Sequence, residues 1–164
     1  MKSVIEISIA AQRLCLHEGN RITMDVAVST AKNGAGEING SECTPRGAHV
    51  IRAKIGAGCA PDTVFVSRRP TGEIYTPALR LQFPQRDWIL ARILWLSGLE
   101  VGRNRLGKVD TMRRYIYIHG CPDEDVMGIP SSHGCVKIHN RDMIELFDRV
   151  AVGARVIISE APPG

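Results

Sequence analysis

The tripeptide His-Gly-Cys occurs twice in this chain, at His119-Gly120-Cys121 and at His133-Gly134-Cys135. His and Cys make a thiolate nucleophile or hold a soft metal, so the doubled tripeptide admits two chemistries. In the first, one Cys is the nucleophile and one His its base. A free thiol is mostly protonated at neutral pH and becomes reactive when an imidazole, a helix N-terminus or another positive dipole favours its anion. Cys135 follows Ser132-His133-Gly134 and precedes a helix start near Asn140; a glycine there lets successive N–H groups converge on an oxyanion. His119 follows Tyr115-Ile116-Tyr117-Ile118, whose aromatic and β-branched residues predict a rigid strand. In the second chemistry, residues i and i+2 share a strand face, and His119, Cys121, His133 and Cys135 make a two-His, two-Cys zinc set. The spacing is not that of a zinc finger and zinc has no need of the glycines, which favours the thiol. His17, His49 and His139 are read as structural or surface residues, and Cys15, Cys43 and Cys59 as residues without a reactive setting.

The elements that must position these residues read as mostly β with a few short helices, an α+β single domain. Strands are predicted over Val4–Ile9, Arg13–His17 and Arg21–Ser29, the last two joined by a turn at Glu18-Gly19-Asn20. Residues 29 to 47 are rich in Gly, Ser, Thr and Asn and predict a long functional loop, without a phosphate-loop motif. Strands follow at Ala48–Ile55, Thr63–Val66 and Ala78–Phe83, and at Arg155–Ser159. Helices are predicted over Asp87–Ser97, with Asp87 as N-cap and Gly98 as stop, and over Asn140–Val150, with Asn140 as N-cap. The domain is bounded at 1–160, with 161–164 as a tail.

The chain has 164 residues, enough for one domain with a hydrophobic core. Its net charge of +4 is scattered and its aromatic fraction is 5%, which argues against a nucleic-acid surface and a base-stacking platform. No apolar run approaches the roughly 18 residues of a membrane span. The N-terminal apolar stretch is broken by Glu6 and closed early by Gln12-Arg13, so it reads as a strand rather than an export signal. Five unevenly spaced Cys are not a disulfide framework, and reduced thiols suit the cytoplasm. No cofactor is expected.

The stretch His119-Gly120, a loop, then Ser132-His133-Gly134-Cys135-Val136-Lys137-Ile138-His139-Asn140 resembles the signature of the L,D-transpeptidase (YkuD-type) catalytic domain. The resemblance extends to Ser29-Thr30, Thr44-Pro45-Arg46-Gly47, the middle of the chain and the helix after Asn140. It implies a β-sandwich or barrel-like body with the Cys in a groove. It implies attack of Cys135 on the bond between an L-centre and a terminal D-amino acid of a peptidoglycan stem peptide. His119 would be the base, oriented by the Gly120 carbonyl; the N–H groups of His133, Gly134 and Cys135 would form the oxyanion hole; Ser132 would support the turn. Lys137 stands where the family usually has Arg, losing the bidentate fork for a carboxylate. Arg113 or Arg114 is expected to supply a carboxylate anchor, and Tyr117 and Asn140 join Lys137 as candidate substrate contacts. Cys121 stands where Thr or Ser is more usual, and a reversible disulfide to Cys135 is conceivable. The acyl-enzyme would pass to water or to an amine. Free thiols and no visible leader favour a cytoplasmic L,D-carboxypeptidase acting on muropeptides, with a crosslinking transpeptidase as the alternative. A non-catalytic, zinc-stabilised module binding peptidoglycan peptides is the reading from outside the enzymes.

Overall fold

The computed structural model describes residues 2–161. Met1 and residues 162–164, most of the expected tail, lie outside them. Among the described residues the elements run β1 (Ser3–Ser8), β2 (Arg13–Glu18), β3 (Arg21–Ala27), β4 (Gly47–Ile55), β5 (Thr63–Val66), β6 (Arg69–Ile74), α1 (Pro77–Gln82), β7 (Ile89–Gly98), β8 (Tyr117–Cys121), β9 (Val136–His139), α2 (Asn140–Arg149) and β10 (Arg155–Ser159). The strands form one curled sheet in the order β3-β2-β1-β10-β4-β7-β5-β6, with β8 branching from β7 and carrying β9. Most neighbours are antiparallel; β1 with β10 and β8 with β9 are parallel. The fold is mostly β with two helices, a half-barrel in one domain. No helix of the described residues is long and apolar enough to cross a membrane.

The central strand β7 is where a helix was expected over Asp87–Ser97. The reason is its burial on both faces. Leu94 and Leu96 enter the main core beside α2, while Ile93 and Trp95 pack with Phe65 and Tyr117 on the other side. A strand covered on both faces reads as a near-continuous apolar run, and such a run also fits a helical stripe. Gly98, expected to stop that helix, is instead the last residue of the strand, where a Cβ would collide with the carbonyl and side chain of Asn104.

Ala78–Phe83, expected as strand, lies instead mostly within α1. The Thr76 hydroxyl accepts from the Leu79 amide at 3.1 Å and Pro77 occupies the first turn, a pairing that starts helices. α2 begins at Asn140, but its cap position is His139 and no side chain caps it. Asn140 is buried and its Nδ2 donates to Asp62 Oδ1 at 2.9 Å. The expected Asn140 N-cap is therefore replaced by a tie to the β4–β5 connection.

α2 presses Met143, Leu146 and Phe147 into the core formed by β1, β7, β8, β9 and β10. Its C-terminus is held from β4. Lys54 Nζ donates to the carbonyls of Phe147 and Val150, both at 2.7 Å, and lies 4.2 Å from the Phe147 ring centroid. These carbonyls have no helical partner, and a cation at that end also meets the negative pole of the helix dipole. Replacement of Lys54 by Met keeps the apolar stem and removes both bonds. Urea unfolding of Lys54→Met is expected to show a stability loss of about 1–3 kcal/mol.

Candidate active site

β8 delivers His119 from between β7 and β9. Its register with β7 jumps from Leu90↔Gly120 to Ile93↔His119, leaving Ala91 and Arg92 as a bulge. Ala91 is fully buried with φ 69°, a left-handed conformation unusual for a residue with a side chain. Gly120 lies against this bulge. A Cβ on it would sit 2.6 Å from the Leu90 carbonyl oxygen and 3.1 Å from the Ala91 Cβ, and would overlap Asn140 Oδ1. The close approach therefore requires glycine.

The Gly120 carbonyl takes a hydrogen bond from His119 Nδ1 at 2.7 Å. With the proton on Nδ1, Nε2 keeps its lone pair and can accept a proton. His119 is buried at 4% exposure, and burial pulls its pKa down to about 4, against the opposing pull of the Gly120 carbonyl. It is neutral at physiological pH and available as a base.

Cys135 ends the turn that leads into β9. Ser132 shapes that turn: its Oγ donates to the Cys135 carbonyl at 2.6 Å and accepts from the Gly134 amide at 3.2 Å. The Gly134 N–H, expected in the oxyanion hole, is thus engaged by Ser132. Among the described residues no hydrogen bond occupies the amides of His133 and Cys135. Gly134 adopts φ 136° and leaves a Cβ only 3.0 Å from Ile116 Cδ1, so it too must be glycine.

The Cys135 thiol accepts from the Tyr117 amide at 3.3 Å and donates to the Tyr115 carbonyl at 3.4 Å. Tyr115 itself holds a left-handed backbone, φ 56°. Burial pushes the thiol pKa up to about 11, more than the Tyr117 amide lowers it. No hydrogen bond joins Cys135 to His119 among the described residues. Burial disfavours the charged form of both the thiol and the imidazole, and no hydrogen bond holds the two as an ion pair.

The loop from Ser29 to Arg46 is the bed beneath this turn. Ser29 exchanges both backbone hydrogen bonds with Lys137 at 2.9 Å, and the Thr30 carbonyl accepts from the amides of Ser131 and Ser132. Thr44 Oγ1 donates to the Gly134 carbonyl at 2.9 Å and accepts from the Ala31 amide. Gln12 fixes Thr30 in turn, accepting from its amide at 3.0 Å and donating to its hydroxyl at 2.7 Å.

The other expected site residues divide: His133, Tyr117 and Lys137 line the cavity that holds Cys135 and His119, and Arg113, Arg114 and Asn140 do not. His133 is exposed and pairs with Asp87 at 3.2 Å. Arg113 is exposed, with its amide donating to Asp110, and lies outside the cavity. Arg114 is spent on the loop, donating to the Cys43 carbonyl at 2.6 Å, so neither arginine supplies the expected anchor. Asn140 sits behind Gly120 rather than in the cavity, which corrects its place among the substrate contacts. Tyr117 and Lys137 do line the cavity; Lys137 Nζ lies 3.6 Å from Asp125 Oδ2.

Cys121 is fully buried, beside Met127, with its thiol pushed up to about 12 by burial. In the parallel register it faces His139, while Cys135 lies next to the Tyr117 level. That offset is about four residues, on the order of 13 Å, which rules out a disulfide without unfolding the strands. The same separation dissolves the four-ligand zinc set, and among the described residues no group of three His, Cys, Asp or Glu is placed to hold a metal.

Cys135 and His119 line a single cavity of about 980 Å3, walled by Tyr115, Tyr117, Trp88 and Ile129 among others. Sequence reasoning missed Arg68, Arg80, Glu124 and Asp125 on these walls. Arg68 and Arg80 gave no signal but proximity in space, because the β5–β6 hairpin and α1 reach the cavity from elsewhere in the chain; Glu124 and Asp125 lie in the loop between the two His-Gly-Cys copies, where closeness in sequence could have found them.

A cysteine, a histidine pinned through Nδ1 and two backbone amides without a partner among the described residues share one cavity on a curled β-sheet, an arrangement suited to cysteine acyl transfer. The chain belongs to the L,D-transpeptidase catalytic domain family (YkuD), whose model matches residues 2–158. A stretch of 43 residues, 26% of this chain and 24% of its relative, is 40% identical to the putative L,D-transpeptidase YqjB of Bacillus subtilis (strain 168). Among solved structures, the L,D-transpeptidase of Xylanimonas cellulosilytica superposes with TM-score 0.56 at 21% identity, over 96% of this chain and 60% of that one. An Enterococcus faecium L,D-transpeptidase mutant gives TM-score 0.59 at 14% identity, over 97% and 50%. The chain thus spans 60% or less of these relatives' length, and the likeness to the solved structures is one of fold.

Two outcomes test the site. The alkylation rate of Cys135 by iodoacetamide should keep rising about tenfold per pH unit beyond pH 9, since its folded pKa lies above the free value. A plateau near neutral pH would reveal a thiolate–imidazolium pair instead. Cys121→Ala should leave the cavity thiol's alkylation profile unchanged within about twofold, because Cys121 touches none of the reacting groups.

Proposed function

We propose that this domain is a cysteine L,D-carboxypeptidase that releases the terminal D-alanine from tetrapeptide stems of muropeptides. The observation that carries the reading is the shared cavity of Cys135 and His119, with His119 Nδ1 tied to the Gly120 carbonyl. In the proposed reaction the thiol leaves the Tyr115 carbonyl and gives its proton to His119 Nε2 while Sγ bonds to the scissile carbonyl carbon. The His133 and Cys135 amides receive the oxyanion. His119 then protonates the departing amine, the C–N bond breaks, and D-alanine leaves a thioester. Water attacks that thioester with His119 again as base; the C–S bond breaks and the thiol regains its proton.

Acceptance by water rather than by an amine is supported by the cysteines. Cys15, Cys43, Cys59, Cys121 and Cys135 are all unpaired, as suits a reducing cytoplasm in which soluble wall fragments are trimmed.

The test incubates the protein with a disaccharide-tetrapeptide, with and without an amine acceptor, and follows products by mass. Tripeptide plus free D-alanine is expected, with Cys135→Ala inactive and His119→Gln reduced by about 100-fold or more. Peptide dimers or D-amino-acid exchange as the main product would make the domain a transpeptidase. Equal inactivity of wild type and Cys135→Ala would remove both reactions.

A further inference from the structure

The cavity holds four cationic side chains, Arg68, Arg80, Arg86 and Lys137. Three are matched to carboxylates. Arg80 and Lys137 share Asp125, and Arg86 forks onto Glu73 at 2.8 and 3.1 Å. Arg68 has no carboxylate within ion-pair distance among the described residues. Its one hydrogen bond runs from Nη1 to the Tyr117 hydroxyl at 2.9 Å.

Arg68 is also held in an unusual way. It sits at the tip of the β5–β6 hairpin, where Val66 pairs with Arg69 and only Ser67 and Arg68 turn the chain. Both are left-handed, φ 49° and 66°, in a turn type that normally selects Asn and Gly. A hairpin-tip arginine would ordinarily extend into solvent. This one is half-buried, with its guanidinium 4.6 Å from the Tyr115 ring centroid and 5.0 Å from that of Trp95. Trp95 is fixed by its indole N–H on the Met112 carbonyl at 3.1 Å. The same Tyr115 and Tyr117 hold the Cys135 thiol through their backbones. An aromatic bed thus orients an unneutralised planar cation in the cavity that also holds Cys135. One of its five N–H donors is used, and a flat fork with spare donors matches a carboxylate.

We propose that Arg68 is a specificity-determining residue that binds a free carboxylate of the peptide substrate. The inference rests on the reading of the cavity as a peptide acyl-transfer site. Two carboxylates of such a substrate carry this chemistry: the C-terminal one of the D-residue, and one on the side chain of the residue bearing the scissile carbonyl.

The test compares wild type, Arg68→Gln and Arg68→Lys on three peptides. One tetrapeptide has both carboxylates, one has an amidated C-terminus, and one has lysine in place of a diamino-dicarboxylic third residue. Arg68→Gln should lower kcat/KM at least tenfold on the first peptide. It should have no further effect on the peptide that lacks the recognised carboxylate, which identifies the source. Arg68→Lys should recover part of the loss, since charge is kept but the fork is not. Equal losses on all three peptides, or none, would overturn the proposal and leave Arg68 as a wall residue. Titration of the three peptides into Cys135→Ala and into Cys135→Ala with Arg68→Gln gives a second readout that needs no turnover. If wild type cleaves none of them, the carboxypeptidase reading fails by itself. Arg68 then stands or falls on whether carboxylate-dependent binding is lost in the double variant.

Discussion

No side chain fits at Gly120. The backbone there is pressed against the Leu90 carbonyl, the Ala91 methyl and the Asn140 amide. Three elements, β7, β8 and the start of α2, meet at one point without a Cβ between them. That contact lets β8 close onto the bulge in β7, and the carbonyl of the same glycine fixes the tautomer of His119. A strand position that tolerates only glycine thereby sets both the packing of the sheet and the proton-accepting face of the imidazole. The left-handed Ala91 is the strained partner of that arrangement, a local cost that the fully buried surroundings hold in place.

The charges around the cavity follow a different logic from the reacting pair. Burial disfavours the charged forms of Cys135 and His119, pushing one pKa up and pulling the other down. The surrounding wall is rich in ions, and several are matched locally: Asp125 between Arg80 and Lys137, and Glu73 on Arg86. Beside these matched pairs, the Arg68 guanidinium has no carboxylate within ion-pair distance among the described residues.

The part of this site that lies close together in sequence was legible. Ser132 to Cys135 and His119-Gly120 stand in one stretch, and their residue types announce a turn, a thiol and a strand-borne imidazole. The mostly-β class was also readable from alternation in β1, β2 and β3. What failed has physical causes. β7 lacks alternation because both its faces are buried, so its apolar run imitated a helix. α1 was mistaken for strand although Thr76-Pro77 carried a helix start. Arg113 and Arg114 were chosen for closeness in sequence to His119. The guanidiniums that reach the cavity come instead from Arg68 at a hairpin tip, Arg80 on α1 and Arg86 before β7, and Arg114 is consumed by the carbonyls of a distant loop. Contacts that depend on how separate segments meet leave no periodicity to read.

The stitching of the Cys135 turn has a consequence for when this protein can act. Ser29 bonds to Ile129 and Ser131 across separations of 100 and 102 residues, and Thr44 reaches Gly134 across 90. Contacts of such span form late, because the closure entropy of the intervening chain must be met before they stabilise anything. The turn that presents the thiol therefore takes its shape only after the first and last quarters of the chain have docked. During synthesis the chain carries its cysteine as an ordinary thiol, and its setting beside His119 and the turn amides arrives only with the completed fold.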